Sequence, residues 1–297
     1  MSEILSFLLN FSVLTFAVSS MLSVGFGYSA REILGPLRNI RGVILTLLAN
    51  FVLVPILAVL ILRIIPLDIY YKIGLFLVAT AAGAPFVIKL AQHANSNLAI
   101  TTTMLVILLP VTVVYMPIVI PLALPGAEVN PWAIARPLSL TMLLPLTAGL
   151  LIRARARTWA ERLRPYMGKI ASIAIVVLVA ATILQNLRGI LNLFSTDIEA
   201  IPVAVFLVVG AFLIGWSVGI PLGENRDELA LATSQRNIAA ATVVATQTFS
   251  NPKTIIIVVV TSIIGLGILF PVAALLRKRE SQRAARTGIQ HKPRTTF

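Results

Sequence analysis

Cysteine is absent from the 297 residues, which excludes disulfides and thiolate metal sites. Histidine is nearly absent too. His93 and His291 stand far apart, and two distant histidines cannot build a metal site of ordinary composition. Acidic side chains number 11 against 24 basic ones, and none of the acids falls deep within an apolar run. Glu228 comes closest, at the mouth of one. Proton and sodium antiporters generally bind their cation on an intramembrane carboxylate, so cation exchange is disfavoured as the main activity. No nucleophile–base pair, metal cluster or phosphate-binding loop is visible, so enzymatic activity and a bound cofactor are not expected. The first residues, MSEILSFLLN, lack the basic region of a cleavable signal, so the first apolar segment reads as a retained helix.

What the chain has in quantity is apolar length. Hydrophobic residues make up 58% of it, above the 45–50% usual for soluble domains. Repeated apolar runs near the length that spans a bilayer predict an all-α polytopic membrane protein. Nine helices are expected, over about 4–28, 41–62, 72–93, 97–121, 133–152, 167–190, 200–222, 227–249 and 254–276. The net charge of +13 does not point to nucleic acid, because most cations lie between or beyond these runs. With the N-terminus outside, seventeen of the 24 basic residues fall on the inner side: Arg31, Arg38, Arg41, Arg153, Arg155, Arg157, Arg162, Arg164, Lys169, Arg226 and those of the tail. Arg63, Lys72, Arg136, Arg188 and Lys253 fall outside, and only Lys89 and Arg236 lie well within spans. The asymmetry predicts an N-out, C-in topology. The basic tail, 277–297, is expected to be cytoplasmic and disordered, in contact with anionic lipid.

The spans before and after the fifth share an order: a long helix, a plain helix, an interrupted helix and a plain helix. The groups cover about 4–121 and 167–276, and the helix between them sets them in opposite orientations, as an inverted repeat. The interrupted members are ATAAGAPFVIKLAQHA, with Gly83 and Pro85, and LALATSQRNIAAA. Paired interruptions of this kind point to a transporter's binding site near the membrane midplane.

Arg236 sits about nine residues into its helix, roughly 13 Å from the inner surface at 1.5 Å per residue. A guanidinium that deep faces a polar cavity or bonds the carbonyls of a neighbouring broken helix. Lys89 either faces the same site or extends its stem to the cytoplasm. Ser234, Gln235 and Asn237 share Arg236's interruption. Asn50 and Thr103 are uncharged polar groups within spans, which most often bond a neighbouring helix.

Taken in order, these segments resemble the bile acid:sodium symporter family, from about Leu14 to Leu276. The resemblance is carried by MLSVGFGYSA, RGVILTLLANFVLVPILAVLI, NLAITTTMLVILLPV and LALATSQRNIAAATVVA. It implies a core domain built on two crossing discontinuous helices, a panel domain, and alternating access. The nine-helix form matches members without the extra first helix, and a bacterial inner (plasma) membrane is the expected location. By position, Asn237 fits the family's Asn, Thr103 a sodium-coordinating Thr, and Asn50 a coordinating Gln. The coordinating Glu falls on Ala232 and the Gln on Arg236, while a Ser-Asn pair falls near Pro85 and Phe86. Most oxygen ligands of a sodium site are therefore replaced.

These readings converge on a secondary transporter for a small organic anion, with sodium coupling weak or absent. Arg236, Asn237, Gln235 and Lys89 are the candidate substrate contacts, and Asn50, Thr103 and Ser234 the candidate sodium or polar-site residues. Arg236 would supply permanently the charge that sodium supplies in coupled relatives. A sodium symporter with a rebuilt site, and a non-transporting sensor or scaffold, remain the alternatives. The substrate and the oligomeric state are not legible.

Overall fold

A computed structural model describes residues 2–29, 39–123 and 130–287. The expectations for Arg31, Glu32, Arg38, Glu128, His291, Lys292 and Arg294 lie outside the described residues. Among the described residues, all regular structure is helical. Seven helices are long and apolar enough to cross a membrane: α1 (Glu3–Gly27 of the helix Ser2–Gly27), α2 (Ile40–Ile64), α5 (Leu98–Ala123), α6 (Pro131–Arg155), α7 (Arg157–Gln185), α9 (Ala200–Val218) and α12 (Pro252–Arg279 of Pro252–Thr287). Two further segments are each divided into short helices. They are α3 (Ile69–Thr80) with α4 (Val87–Ala94), and α10 (Arg226–Ser234) with α11 (Ile238–Thr248). A short helix, α8 (Leu187–Ser195), joins α7 to α9 and exposes Leu187, Leu191 and Phe194.

Two boundaries differ from expectation in ways that matter. The last helix runs to Thr287, so the expected disordered tail begins as helix. RKRESQRAAR is rich in good helix formers, and propagation from an existing helix needs no new nucleus. The helix expected from residue 167, α7, begins at Arg157, about ten residues early, and only Ala156, with φ −139° and ψ 62°, separates it from α6. The basic residues of TWAERLRPYMGK therefore sit on helix faces and not in a loop.

The packing falls into two groups. Helices α1, α6 and α7 pack on one another, and α2 to α5, α9, α10 and α12 form the larger assembly; α11 touches α1, α3, α6 and α12. Where α1 meets α6, a Cβ added at Gly25 would lie 2.8 Å from the Gly149 Cα. Without a hydrophobic drive between helices in lipid, the van der Waals packing that such close backbone approach allows is one of the sources of association.

Two of the prolines inside the spans free carbonyls that hydroxyls from other helices satisfy. Pro55 cannot donate to Phe51 four residues earlier, and the Tyr115 hydroxyl donates to that carbonyl at 2.6 Å. Pro137 likewise frees Ala133, whose carbonyl accepts the Thr248 hydroxyl at 3.2 Å. Beside Pro55 the helix widens into a π turn over Ala49–Leu53. The widening places Asn50, fully buried, against α10.

Candidate functional site

Pro85 and Gly83 divide α3 from α4 for local reasons. Pro85 carries no amide hydrogen and steers Ala84 away from helical geometry. Gly83 has φ +75°, and a Cβ there would stand 2.9 Å from the Leu109 nitrogen of α5. The second interruption has neither glycine nor proline. Gln235 (ψ 99°) and Asn237 (ψ 89°) leave helical geometry there, and Asn237 is fixed by bonds to the first interruption. The Asn237 amide donates to Ala81 O at 2.8 Å, and its side-chain Nδ2 donates to Gly83 O at 2.9 Å. Its Oδ1 accepts the Ala240 amide at 3.1 Å and so caps α11. Thr112 of α5 donates to Ala82 O at 3.0 Å.

Arg236 completes this crossing. Its Nε donates to Val78 O at 3.2 Å, and Nη2 donates to Ala79 O. Nη1 donates to Thr233 O at 3.0 Å and to Asn50 Oδ1 at 2.8 Å. Asn50 Nδ2 in turn donates to Thr233 Oγ1 at 3.1 Å and to Thr46 O at 3.0 Å. Four oxygens from three helices thus converge on one buried guanidinium. Three of them are carbonyls at the C-terminal ends of α3 and α10, where helix dipoles concentrate negative charge, and Val78 O also accepts the Ala81 amide at 3.3 Å. A fixed cation satisfies both ends at once, and the fork geometry of arginine suits several acceptors in one plane.

The opposite ends of the same division face a cavity. Val87 and Ile238 begin α4 and α11, and Phe86, Asn237 and Ile238 line a cavity of about 390 Å³. Its walls come from both packing groups. The α1–α7 side gives Phe16, Ser20, Ser23, Val24, Tyr28, Arg164, Gly168, Ala171, Ser172 and Ile175. The other side gives Ala84, Pro85, Phe86, Ile88, Lys89, Gln92, Gln235, Asn237, Ile238, Ser262 and Leu266. The volume suits a small organic ligand, and the lining is mostly apolar with a few polar groups. Among the described residues it contains two cations, Lys89 and Arg164, and no carboxylate. Lys89 Nζ lies 5.3 Å from the Phe86 ring centroid, and the Arg164 guanidinium carbon 5.6 Å from that of Tyr28.

The sequence candidates separate accordingly. Lys89, Gln235 and Asn237 meet at the cavity. Arg236 and Asn50 meet behind it, at the crossing, and neither lines it. Ser234 is buried and donates to Ala230 O at 2.8 Å. Thr103 donates to Ala99 O at 2.9 Å and lines a separate cavity of about 70 Å³ with Asn39, Thr46 and Asn225. Glu228 is buried, and its Oε1 accepts the Asn97 amide at 2.7 Å. No group of three or more potential metal ligands occurs among the described residues. Sequence reasoning missed Tyr28 and Arg164. A signal was present: Arg164, Gly168, Ala171, Ser172 and Ile175 repeat at the three- and four-residue spacing of one helix face.

A crossing of two divided helices beside a cavity between two helix groups is transporter architecture. The profile of the sodium bile acid symporter family matches residues 15–193, well over half of the chain. The chain belongs to that family. It is accordingly an integral, multi-pass membrane transporter of the bile acid symporter type, in a family whose members are transporters and not enzymes. The match runs from α1 into α8 and includes the first divided helix and the Asn50 turn. No curated protein matches the chain.

Proposed function

We propose that this protein is a secondary transporter for a small organic anion, working by alternating access with sodium coupling weak or absent. The observation that carries the anion assignment is the cavity between the helix groups, with Lys89 and Arg164 and, among the described residues, no carboxylate in its lining. Amide hydrogens at the starts of α4 and α11 add positive potential from the same direction. The apolar lining, with Phe16, Val24, Phe86 and Ile175, accommodates the body of an amphipathic ligand. Lys89, Gln235 and Asn237 are its proposed contacts. Arg236 is assigned a different task from the substrate pairing that sequence alone suggested, because four of its five N–H groups are taken by protein oxygens.

The weak coupling rests on the same four oxygens. Main-chain carbonyls and an amide oxygen are the hard ligands that a sodium ion would use, and here a tethered guanidinium takes them. The reading includes nine crossings, with each divided helix counted as one, in two inverted groups around α6. It places the N-terminus outside and the C-terminus in the cytoplasm of a bacterium, following the basic asymmetry.

Uptake of labelled cholate and of labelled 2-naphthoate into proteoliposomes, with sodium or choline outside, tests the proposal. Exchanging sodium for choline should change apparent affinity less than about threefold. Steep sodium dependence would refute the coupling assignment and favour the rebuilt sodium site.

A further inference from the structure

Lys89 and Arg164 enter the cavity lining from different helix groups. Lys89 belongs to α4, in the larger helix group, and Arg164 to α7, in the α1–α7 group. Each cation leans on an aromatic ring of its own wall, Phe86 and Tyr28 respectively. Gly27 makes room for the second pair, since a Cβ there would lie 2.9 Å from the guanidinium carbon of Arg164. Among the described residues, neither cation has a carboxylate within ion-pair distance. The guanidinium of Arg236 is committed elsewhere and lends no donor to the lining.

Two cations facing one cavity set a charge balance for its occupant. A monoanion pairs one of them and leaves the other to be desolvated whenever the two walls close together. An uncompensated buried charge is strongly unfavourable, whereas a paired one is tolerated. If the 390 Å³ were a sphere it would be roughly 9 Å across, within reach of two flexible basic side chains that meet one small ligand from different helix groups. Building on the transporter reading above, we infer that the ligand is a dianion with two anionic groups set apart on an apolar body. One group pairs with Lys89 and the other with Arg164, so that the substrate itself bridges the two helix groups. Arg164 is then a specificity-determining residue that selects dianions over monoanions.

The test is a matched pair of rigid probes, naphthalene-2,6-dicarboxylate and 2-naphthoate, titrated calorimetrically onto the full chain in zwitterionic nanodiscs. The dicarboxylate should bind at least about tenfold more tightly, the increment of one charge-assisted pair. Arg164→Gln and Lys89→Gln should each reduce that ratio to about threefold or less while 2-naphthoate still binds. Arg155→Gln, at an exposed cation outside the cavity, should keep the full ratio. Equal affinity for the two probes in the unmodified protein overturns the inference and leaves the organic-anion reading standing. So does a ratio that survives both single substitutions, or one that Arg155→Gln lowers equally. Binding of neither probe overturns both.

Discussion

Replacing Arg236 by alanine strips donors from Val78 O, Ala79 O, Thr233 O and Asn50 Oδ1 in a single step. Val78 O keeps the Ala81 amide, so three acceptors are orphaned; at about 1–3 kcal/mol each when buried, they would cost about 3–9 kcal/mol if none were repaired. Water entering the vacated volume repairs part of this. Removing one partner from a buried charged network typically costs about 3–5 kcal/mol, and that is the expected loss here. For a chain of this size, it corresponds to a melting temperature lower by about 6–20 °C. The assay is thermal unfolding of the purified protein beside a titration of 2-naphthoate onto the folded fraction in the cold. Because the guanidinium does not line the cavity, affinity should stay within about threefold of the unmodified value. Arg236→Lys should recover part of the stability, since an ammonium offers three donors without the planar fork. Arg236→Gln should gain no stabilisation from sodium, because Ala232 still stands where coupled relatives carry a carboxylate. An Arg236→Ala protein that melts normally but binds about thirtyfold more weakly would refute the reasoning and return Arg236 to the ligand.

Tyr115→Phe leaves the carbonyl freed by Pro55 without its donor and should destabilise by about 1–3 kcal/mol; unchanged melting would show another group satisfying Phe51. Asp68, at the start of α3, accepts from Lys253 Nζ at 2.8 Å, and Lys253 also lies 3.5 Å from Asp197. Partial burial pushes the Asp68 carboxyl up, but the Lys253 ammonium and the Tyr70 amide outweigh it, so the carboxyl sits below its ordinary 3.8. A depressed carboxyl stabilises the fold above its unfolded value and loses that contribution as pH falls through the folded one. Acidification from about pH 5 to about pH 3 should therefore lower the melting temperature of Asp68→Asn less than that of the unmodified chain. Identical acid slopes would rule the pairing out. The absence of native cysteine makes topology directly testable: Glu3→Cys should react with an impermeant thiol reagent in intact cells, and Arg279→Cys should not. The reverse labelling pattern would invert the assigned orientation.

Much of the architecture is legible in the chain because a bilayer leaves few choices. Apolar runs must be helices whose length matches the hydrocarbon, and this placed the long spans within a few residues, apart from the start of α7 and the end of α12. The first interruption is written locally, in Gly83 and Pro85. The second can be read only from its cluster of polar residues, because nothing in Ser234–Asn237 breaks a helix by itself. Its geometry comes from carbonyls about 150 residues away, which accept from Arg236 and Asn237. The reach of α7 back to Arg157 was hidden for another reason. Basic residues read as loop when hydropathy is the guide, although nothing in them prevents a helix.

The sequence by itself determined the membrane class, the two interruptions, and the presence of a guanidinium where a bilayer tolerates one only with partners. It could not determine which way that guanidinium turns. Its depth in the span fits a cavity and a crossing equally well, and hydropathy carries no information about direction around a helix axis. Tertiary structure decided it by bringing the C-terminal ends of α3 and α10 together behind the crossing and the beginnings of α4 and α11 together in front. The negative ends hold Arg236, and the cavity before the positive ends is left to Lys89 and Arg164. That division of charge depends on contacts between residues far apart in the chain, so it exists only once the helices have packed.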